Sequence, residues 1–268
     1  MRDELEVNRQ LWDERVAHHV ASSFYDTAGF VAGTHDPLRP FEIDELGPVD
    51  GLDLVHLQCH FGLDTLAWAR RGARVTGLDF SGEAVAAARR VATDAGLDAE
   101  FVASDVYDAR NALGGRTFDV VYTGFGALIW LPDLPGWAEV VRDLLRPGGC
   151  LYLAEFHPIT HVFGWQDRTI EHGYFEQGPF RWDDEGTYTD TDEGARFEHT
   201  ASVEWQHTLG DVLSAVLGAG LVVELFHEHD FTLFPRWPDL VTAPGGRYVL
   251  PPGTPSLPLV YSLRARRP

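Results

Sequence analysis

The residues of this 268-residue chain that could do chemistry collect at three predicted strand ends. The first is Val55-His56-Leu57-Gln58-Cys59-His60-Phe61-Gly62, which reads as a buried strand delivering a tight turn to a helix start. A turn of that kind aims backbone N–H groups and a helix N-terminus at a nucleotide-like ligand. It usually needs several glycines, yet Gln58 and His60 stand where two are expected and only Gly62 remains. The second is Asp79, 17 residues after Gly62 and 21 after Gln58, whose carboxylate can accept two hydrogen bonds from a ribose diol. The third is Ser104-Asp105-Val106. An acid there can accept from an adenine amino group while the next backbone N–H reaches a ring nitrogen.

These ends need a parallel sheet behind them, and the pattern predicts one. Strands are expected at 52–57, 73–79, 100–104, 118–123 and 150–156, alternating with helices at 63–71, 82–95 and 134–145. Gly96 caps the second of these helices, and Arg146-Pro147-Gly148-Gly149 breaks the third from the fifth strand. Residues 1–46 read as a cap of one or two amphipathic helices and a loop. The core runs over 47–157, and 158–206, rich in Gly, Asp, Trp and His, reads as an inserted lid or small antiparallel ribbon. Over 207–268 the core resumes with helix 208–219, strand 221–226, a Pro/Gly-rich stretch at 235–258 and a last strand at 259–263.

Composition removes several functions. A net charge of −20 argues against a nucleic-acid substrate, which needs a basic surface. The arginines Arg264, Arg266 and Arg267 read as a solvated tail after the last strand. The chain has no lysine, which excludes a Schiff-base anchor and lysine-dependent phosphate loops. Cys59 and Cys150 sit at predicted buried strand positions, outside any metal-ligand pair. With no apolar run of transmembrane length and a charged N-terminus, the expected compartment is a reducing cytoplasm.

Taken in order, these features resemble a class I S-adenosylmethionine (SAM)-dependent methyltransferase from about residue 52 to the C-terminus. Phe118-Asp119-Val120-Val121 and the Arg146–Gly149 turn belong to the likeness. The LQCHFG run (57–62), Gly77-Leu78-Asp79-Phe80-Ser81, Trp130-Leu131-Pro132-Asp133 and the N-terminal Asn8, Trp12, His19 and Tyr25 are similar to a bacterial small-molecule subgroup. The resemblance implies an α/β, Rossmann-like sheet of seven mostly parallel strands with the last antiparallel, N-terminal helices and an inserted lid. It assigns the backbone of Gln58, His60 and Gly62 to the methionine moiety, Asp79 with Phe80 to the ribose, and Ser104, Asp105 and Val106 to the adenine. Thr123 and Gly124 would border the methyl group. The chain departs from the family at His56, where the first strand usually carries an acid, and at the two replaced glycines. SAM has no pyrophosphate, so its loop tolerates side chains that a dinucleotide loop does not.

Methyl transfer is an in-line displacement governed by alignment, with a base needed only when the acceptor must lose a proton. His157, after the fifth strand, is a candidate general base, with bonding of lid backbone as its alternative. Glu155 is a candidate partner for an acceptor amine or hydroxyl, with helix capping or a cofactor-side role as its equal alternative, and His207 either acts on substrate or ties the lid to the sheet. Tyr25, His19, Trp130 and Trp165 are candidate substrate contacts, and aromatic walls there favour a sulfonium through cation–π attraction. Trp182, Trp205 and Trp237 are weaker candidates for the same wall. The acidic residues Asp183, Asp184, Glu185, Asp190, Asp192 and Glu193 read as a solvated face, and His227 with His229 lacks a third metal ligand. The expected activity is methyl transfer to an oxygen or nitrogen, or a carbon, of a small, largely apolar metabolite, by a monomer or homodimer that uses SAM, releases S-adenosylhomocysteine (SAH) and engages neither nucleic acid nor membrane. The competing readings are a non-catalytic SAM-binding regulator and a nicotinamide-dependent oxidoreductase.

Overall fold

The computed structural model describes residues 2–189 and 196–268. Three helices open the chain, α1 (Arg2–Ala21), α2 (Thr27–Ala32) and α3 (Pro40–Leu46), one more than the sequence pattern suggests. The alternating core follows: β1 (Asp53–Leu57), α4 (Leu63–Arg70), β2 (Arg74–Asp79), α5 (Gly82–Ala95), β3 (Ala99–Ala103), a short α6 (Ala109–Ala112), β4 (Phe118–Thr123), α7 (Leu134–Leu144) and β5 (Leu145–Phe156). A ribbon, β6 (Phe180–Asp183) with β7 (Ala201–Glu204), precedes α8 (Leu209–Gly218) and β8 (Val222–His229). The chain closes through β9 (Phe231–Thr232), β10 (Val241–Ala243), β11 (Arg247–Val249) and β12 (Val260–Arg266).

Seven strands form the main sheet in the order β3-β2-β1-β4-β5-β12-β8. The first five are parallel, and β12 runs antiparallel to both its neighbours, as the resemblance implied. Leu54, Val55 and Leu57 are fully buried because β1 lies at mid-sheet and is covered on both faces. On one face Trp137, Val141 and Leu144 of α7 pack with Val212 and Val216 of α8. On the other, α4 and the alanine face of α5 pack with Phe30 of α2 and Leu46 of α3. Ser81 caps α5 by accepting from the Ala84 N–H at 2.9 Å, and Gly96 closes it in the left-handed region.

Four expectations need correction. The Arg146–Gly149 turn lies inside β5 as an irregularity in its pairing with β4, because Leu145 already pairs with Phe118. The stretch 235–258 carries β10 and β11, which pair with each other, and β11 also pairs with β9, in a small sheet that turn residues had masked. Arg264 and Arg266 are not a solvated tail: both lie in β12, where Arg264 donates to the Glu45 carbonyl and Arg266 pairs with Glu224, while Arg267 donates to the Arg142 carbonyl. Cys59 is buried in the turn after β1 rather than in a strand. Among the described residues no helix is long and apolar enough to cross a membrane.

Candidate functional site

The strand order reverses between β1 and β4, and the cleft opens at the C-terminal ends of these strands, where α/β sheets bind ligands. The turn after β1 has the conformation its glycine-poor sequence makes difficult. Gln58 (φ 57°) and His60 (φ 50°) both adopt the left-handed region, as does Gly62 (φ 79°). For a non-glycine residue this costs roughly 1–2 kcal/mol, and each of the two has compensating contacts. Gln58 Nε2 donates to the Ala127 carbonyl at 2.8 Å, and the His60 N–H donates to Asp79 Oδ2 at 2.7 Å. No such adjustment is open to Gly62, where a Cβ would sit 2.6 Å from the Phe101 ring.

Asp79 closes β2 nearly buried, its second oxygen accepting from the Ser81 N–H at 2.9 Å. Burial pushes its carboxyl up to about 6, against these backbone donors that favour the ionised form. Each oxygen keeps lone-pair capacity for a ligand hydroxyl. Phe80, Ser104, Asp105 and Val106 line the same cleft, which also receives Tyr107. Asp105 is oriented by accepting from the Tyr107 N–H at 3.0 Å. Of the residues expected at the cofactor, Gly62, Thr123 and Gly124 are not part of the cleft lining, to which Phe125, Gly126 and Ala127 contribute instead. Thr123 is fully buried, and its Oγ1 and Gln58 Oε1 find no hydrogen-bond partner among the described residues.

The far end of the cleft is aromatic. Trp130 meets Trp12 edge-to-face at 5.3 Å, Trp12 meets His60 at 5.2 Å, and Tyr25 shares a hydroxyl–hydroxyl contact with Tyr188. His19 stands behind, its Nδ1 3.0 Å from His60 Nε2 and its Nε2 2.7 Å from Thr187 Oγ1. Burial holds both imidazoles neutral, His60 down to about 3 and His19 to about 2. Helix α1 brings these groups in because Asn8 mimics a strand edge: its amide donates to the Val203 carbonyl at 2.7 Å and accepts from the Val203 N–H at 2.8 Å.

The expected catalytic residues lie elsewhere. His157 is buried away from the cleft lining, with Nε2 3.0 Å from Glu228 Oε1 and Nδ1 accepting from the Ile159 N–H. It caps the short 3-10 turn after β5, so its position supports the backbone-bonding alternative. Glu155 is buried and accepts four backbone N–H donors, from Gly126, Ala127, Leu128 and Phe156, at 2.6–3.0 Å. Burial pushes it up to about 7 while those donors pull it down. It therefore pins the loop that walls the cleft. His207 Nε2–H donates to the Leu131 carbonyl at 2.8 Å, tying the segment after β7 to that loop.

Trp165 is 57% exposed under the Arg236 guanidinium, and Trp182 is exposed beside Phe180, both outside the lining. Trp205 and Trp237 are buried. Asp190, Asp192 and Glu193 lie outside the described residues. Among the described residues no group of three His, Cys, Asp or Glu side chains is placed to hold a metal ion, and His227 and His229 pair separately with Glu45 and Ser262. Sequence reasoning missed Trp12, Tyr188 and Thr187 as members of the site. Trp12, among the N-terminal residues that carried the resemblance, was the available signal.

Residues 55–151 match a family model described as a methyltransferase domain. A ubiquinone biosynthesis O-methyltransferase of Cronobacter sakazakii is 33% identical over 138 residues, 50% of this chain and 56% of that protein. The chain thus spans little more than half the length of such a curated relative. A SAM-dependent methyltransferase structure from Mesorhizobium loti aligns at 24% identity with a TM-score of 0.57, covering 85% of this chain and 96% of that one. A DhpI–SAH complex aligns over 100% of this chain and 98% of its own at 17% identity and a TM-score of 0.57. At these identities the solved structures establish the Rossmann-like class I methyltransferase fold.

Proposed function

We propose that the protein is a SAM-dependent methyltransferase acting on a small, largely apolar metabolite. The observation that carries this reading is the convergence of Gln58, His60, Asp79, Phe80, Ser104, Asp105 and Val106 on one cleft at the strand-order switch point. The methyltransferase-domain match and the O-methyltransferase relative support the reaction class, and the SAH-bound neighbour supports the cofactor.

The residues fit SAM. Asp79 keeps acceptor capacity for a ribose diol, Asp105 and the Val106 backbone suit an adenine edge, and Gln58 Oε1, on a residue that lines the cleft, lacks the donor that a methionine ammonium has. Among the described residues no arginine lines the cleft, as suits a ligand without phosphates and disfavours a dinucleotide. When bound, SAM supplies an electrophilic methyl carbon for in-line displacement. The aromatic end would then exclude water and orient the acceptor. The enzyme would work as a monomer or homodimer in the cytoplasm, with the N-terminal cap (1–46) and the 158–206 insertion covering the 47–157 core.

A crystal structure with SAH tests this reading. The ribose hydroxyls are expected on Asp79, the adenine beside Asp105 and the sulfur facing the aromatic end. A nucleoside seated anywhere else would contradict it.

A further inference from the structure

His60 and His19 form a hydrogen-bonded line from the cleft to Thr187. His60 Nε2 meets His19 Nδ1 at 3.0 Å, and His19 Nε2 meets Thr187 Oγ1 at 2.7 Å on a partly exposed residue. His60 lines the cleft, and its Nδ1 has no hydrogen bond among the described residues, nor is it sealed from solvent without a partner. Each imidazole has one donor and one acceptor, so the line has two settings. In one, every N–H points toward Thr187 and His60 offers a bare Nδ1 to the cleft.

Trp12 and Tyr25 pack against the His60 ring, and Trp130 and Tyr188 extend this wall from them. Among the described residues no arginine lines the cleft, so it offers no counter-ion to a carboxylate, and the acid nearest His60 in the lining, Asp79, is already engaged by the His60 and Ser81 N–H groups. Flat apolar walls with one polar acceptor suit a planar ring that presents a hydroxyl.

We propose that His60 takes the proton from a ring hydroxyl of the methyl acceptor, with His19 and Thr187 passing a proton outward. This rests on the methyl-transfer reading. The acceptor oxygen forms its bond to the methyl carbon as the carbon–sulfur bond breaks onto sulfur. The hydroxyl proton moves to His60 Nδ1, the His60 Nε2 proton to His19 Nδ1, and the His19 Nε2 proton to the Thr187 hydroxyl, which gives up its own proton in turn. The products are a methyl ether, the thioether SAH and one released proton. Because burial disfavours an imidazolium on either ring, the line conducts a proton rather than storing one. His60 is the catalytic residue and His19 the positioning residue.

The test compares catechol, which must lose a proton, with thiophenol, already ionised at about pH 8, in wild type, His60→Gln and His19→Phe. A missing proton acceptor penalises the first more than the second, so the catechol-to-thiophenol turnover ratio is expected to fall at least ~100-fold for His60→Gln, with a smaller fall of the same ratio for His19→Phe. Nitrogen-15 NMR of the cofactor-free protein gives a second readout: His60 is expected neutral, with Nε2 protonated and Nδ1 bare. Equal loss on both probes, a wild type that binds SAM but leaves catechol unmethylated, or a protonated Nδ1 overturns the relay alone. Failure to bind SAM by calorimetry removes the methyl-transfer reading itself.

Discussion

The His60 N–H donates to Asp79 Oδ2 at 2.7 Å, so the acid that ends β2 also holds the turn that follows β1. Asp79 Oδ1 accepts from Ser81, whose hydroxyl donates to Asp13 of α1 at 2.6 Å. One carboxylate thus organises the turn, the start of α5 and, through Ser81, the N-terminal helix.

Asp79→Asn replaces one acceptor with a donor that faces a backbone N–H. It is expected to weaken SAM binding by ~10–100-fold and to destabilise the fold by ~1–3 kcal/mol. Ligand hydroxyls favour the ionised form, so wild-type affinity is expected to fall as pH drops below about 6. Calorimetry across pH checks both, and wild-type affinity in the Asp79→Asn protein would contradict the ribose role.

Glu155→Gln can place an oxygen on only one side of the loop it pins, leaving N–H groups opposite an NH2. The expected loss is ~2–5 kcal/mol in urea unfolding, with weaker SAM binding as the Gly126–Leu128 wall loosens. A group acting only in chemistry would instead lose turnover with stability unchanged.

Glu42 is buried, accepts from the Tyr122 hydroxyl at 2.6 Å and is pushed by burial up to about 8. A raised carboxyl pKa means that its stabilising contribution is complete below the usual value of 4.5 and disappears as pH rises through about 8. Unfolding free energy is expected to decline over that window by at most ~1.4 kcal/mol per pH unit. Glu42→Gln should flatten the decline, and an unchanged slope would contradict the assignment.

His157→Ala removes a cap and a contact to Glu228. It is expected to lower stability by ~1–2 kcal/mol while SAM affinity and turnover stay within about threefold of wild type. A loss of turnover beyond ~100-fold with SAM binding intact would return His157 to the role of base.

The end of the cleft lined by Asp79 and Asp105 was legible because its determinants are local. Buried parallel strands read as apolar runs, and their ends carry Asp79 and Asp105 at spacings that one βαβ unit imposes. Even the odd turn was legible, since Gln58 and His60 take the left-handed conformation of the glycines they replace. The aromatic end depends on contacts across the chain. Trp12 reaches it because Asn8 docks on Val203, 195 residues away. Proximity to the end of β5 made His157 look catalytic, but β12 and β8 complete the sheet and bring Glu228 to its ring from 71 residues away. The small β9–β11 sheet was hidden for a different reason: its strands are only two or three residues long, below the length at which alternation is readable.

The central claim is a cleft built for a nucleoside sulfonium without phosphates. Calorimetric titration of the wild-type protein with SAM, SAH and NAD tests it most directly. SAM and SAH are expected to bind with one site per chain and NAD to give no heat of binding; heat from NAD alone, or from none of the three, would contradict the account.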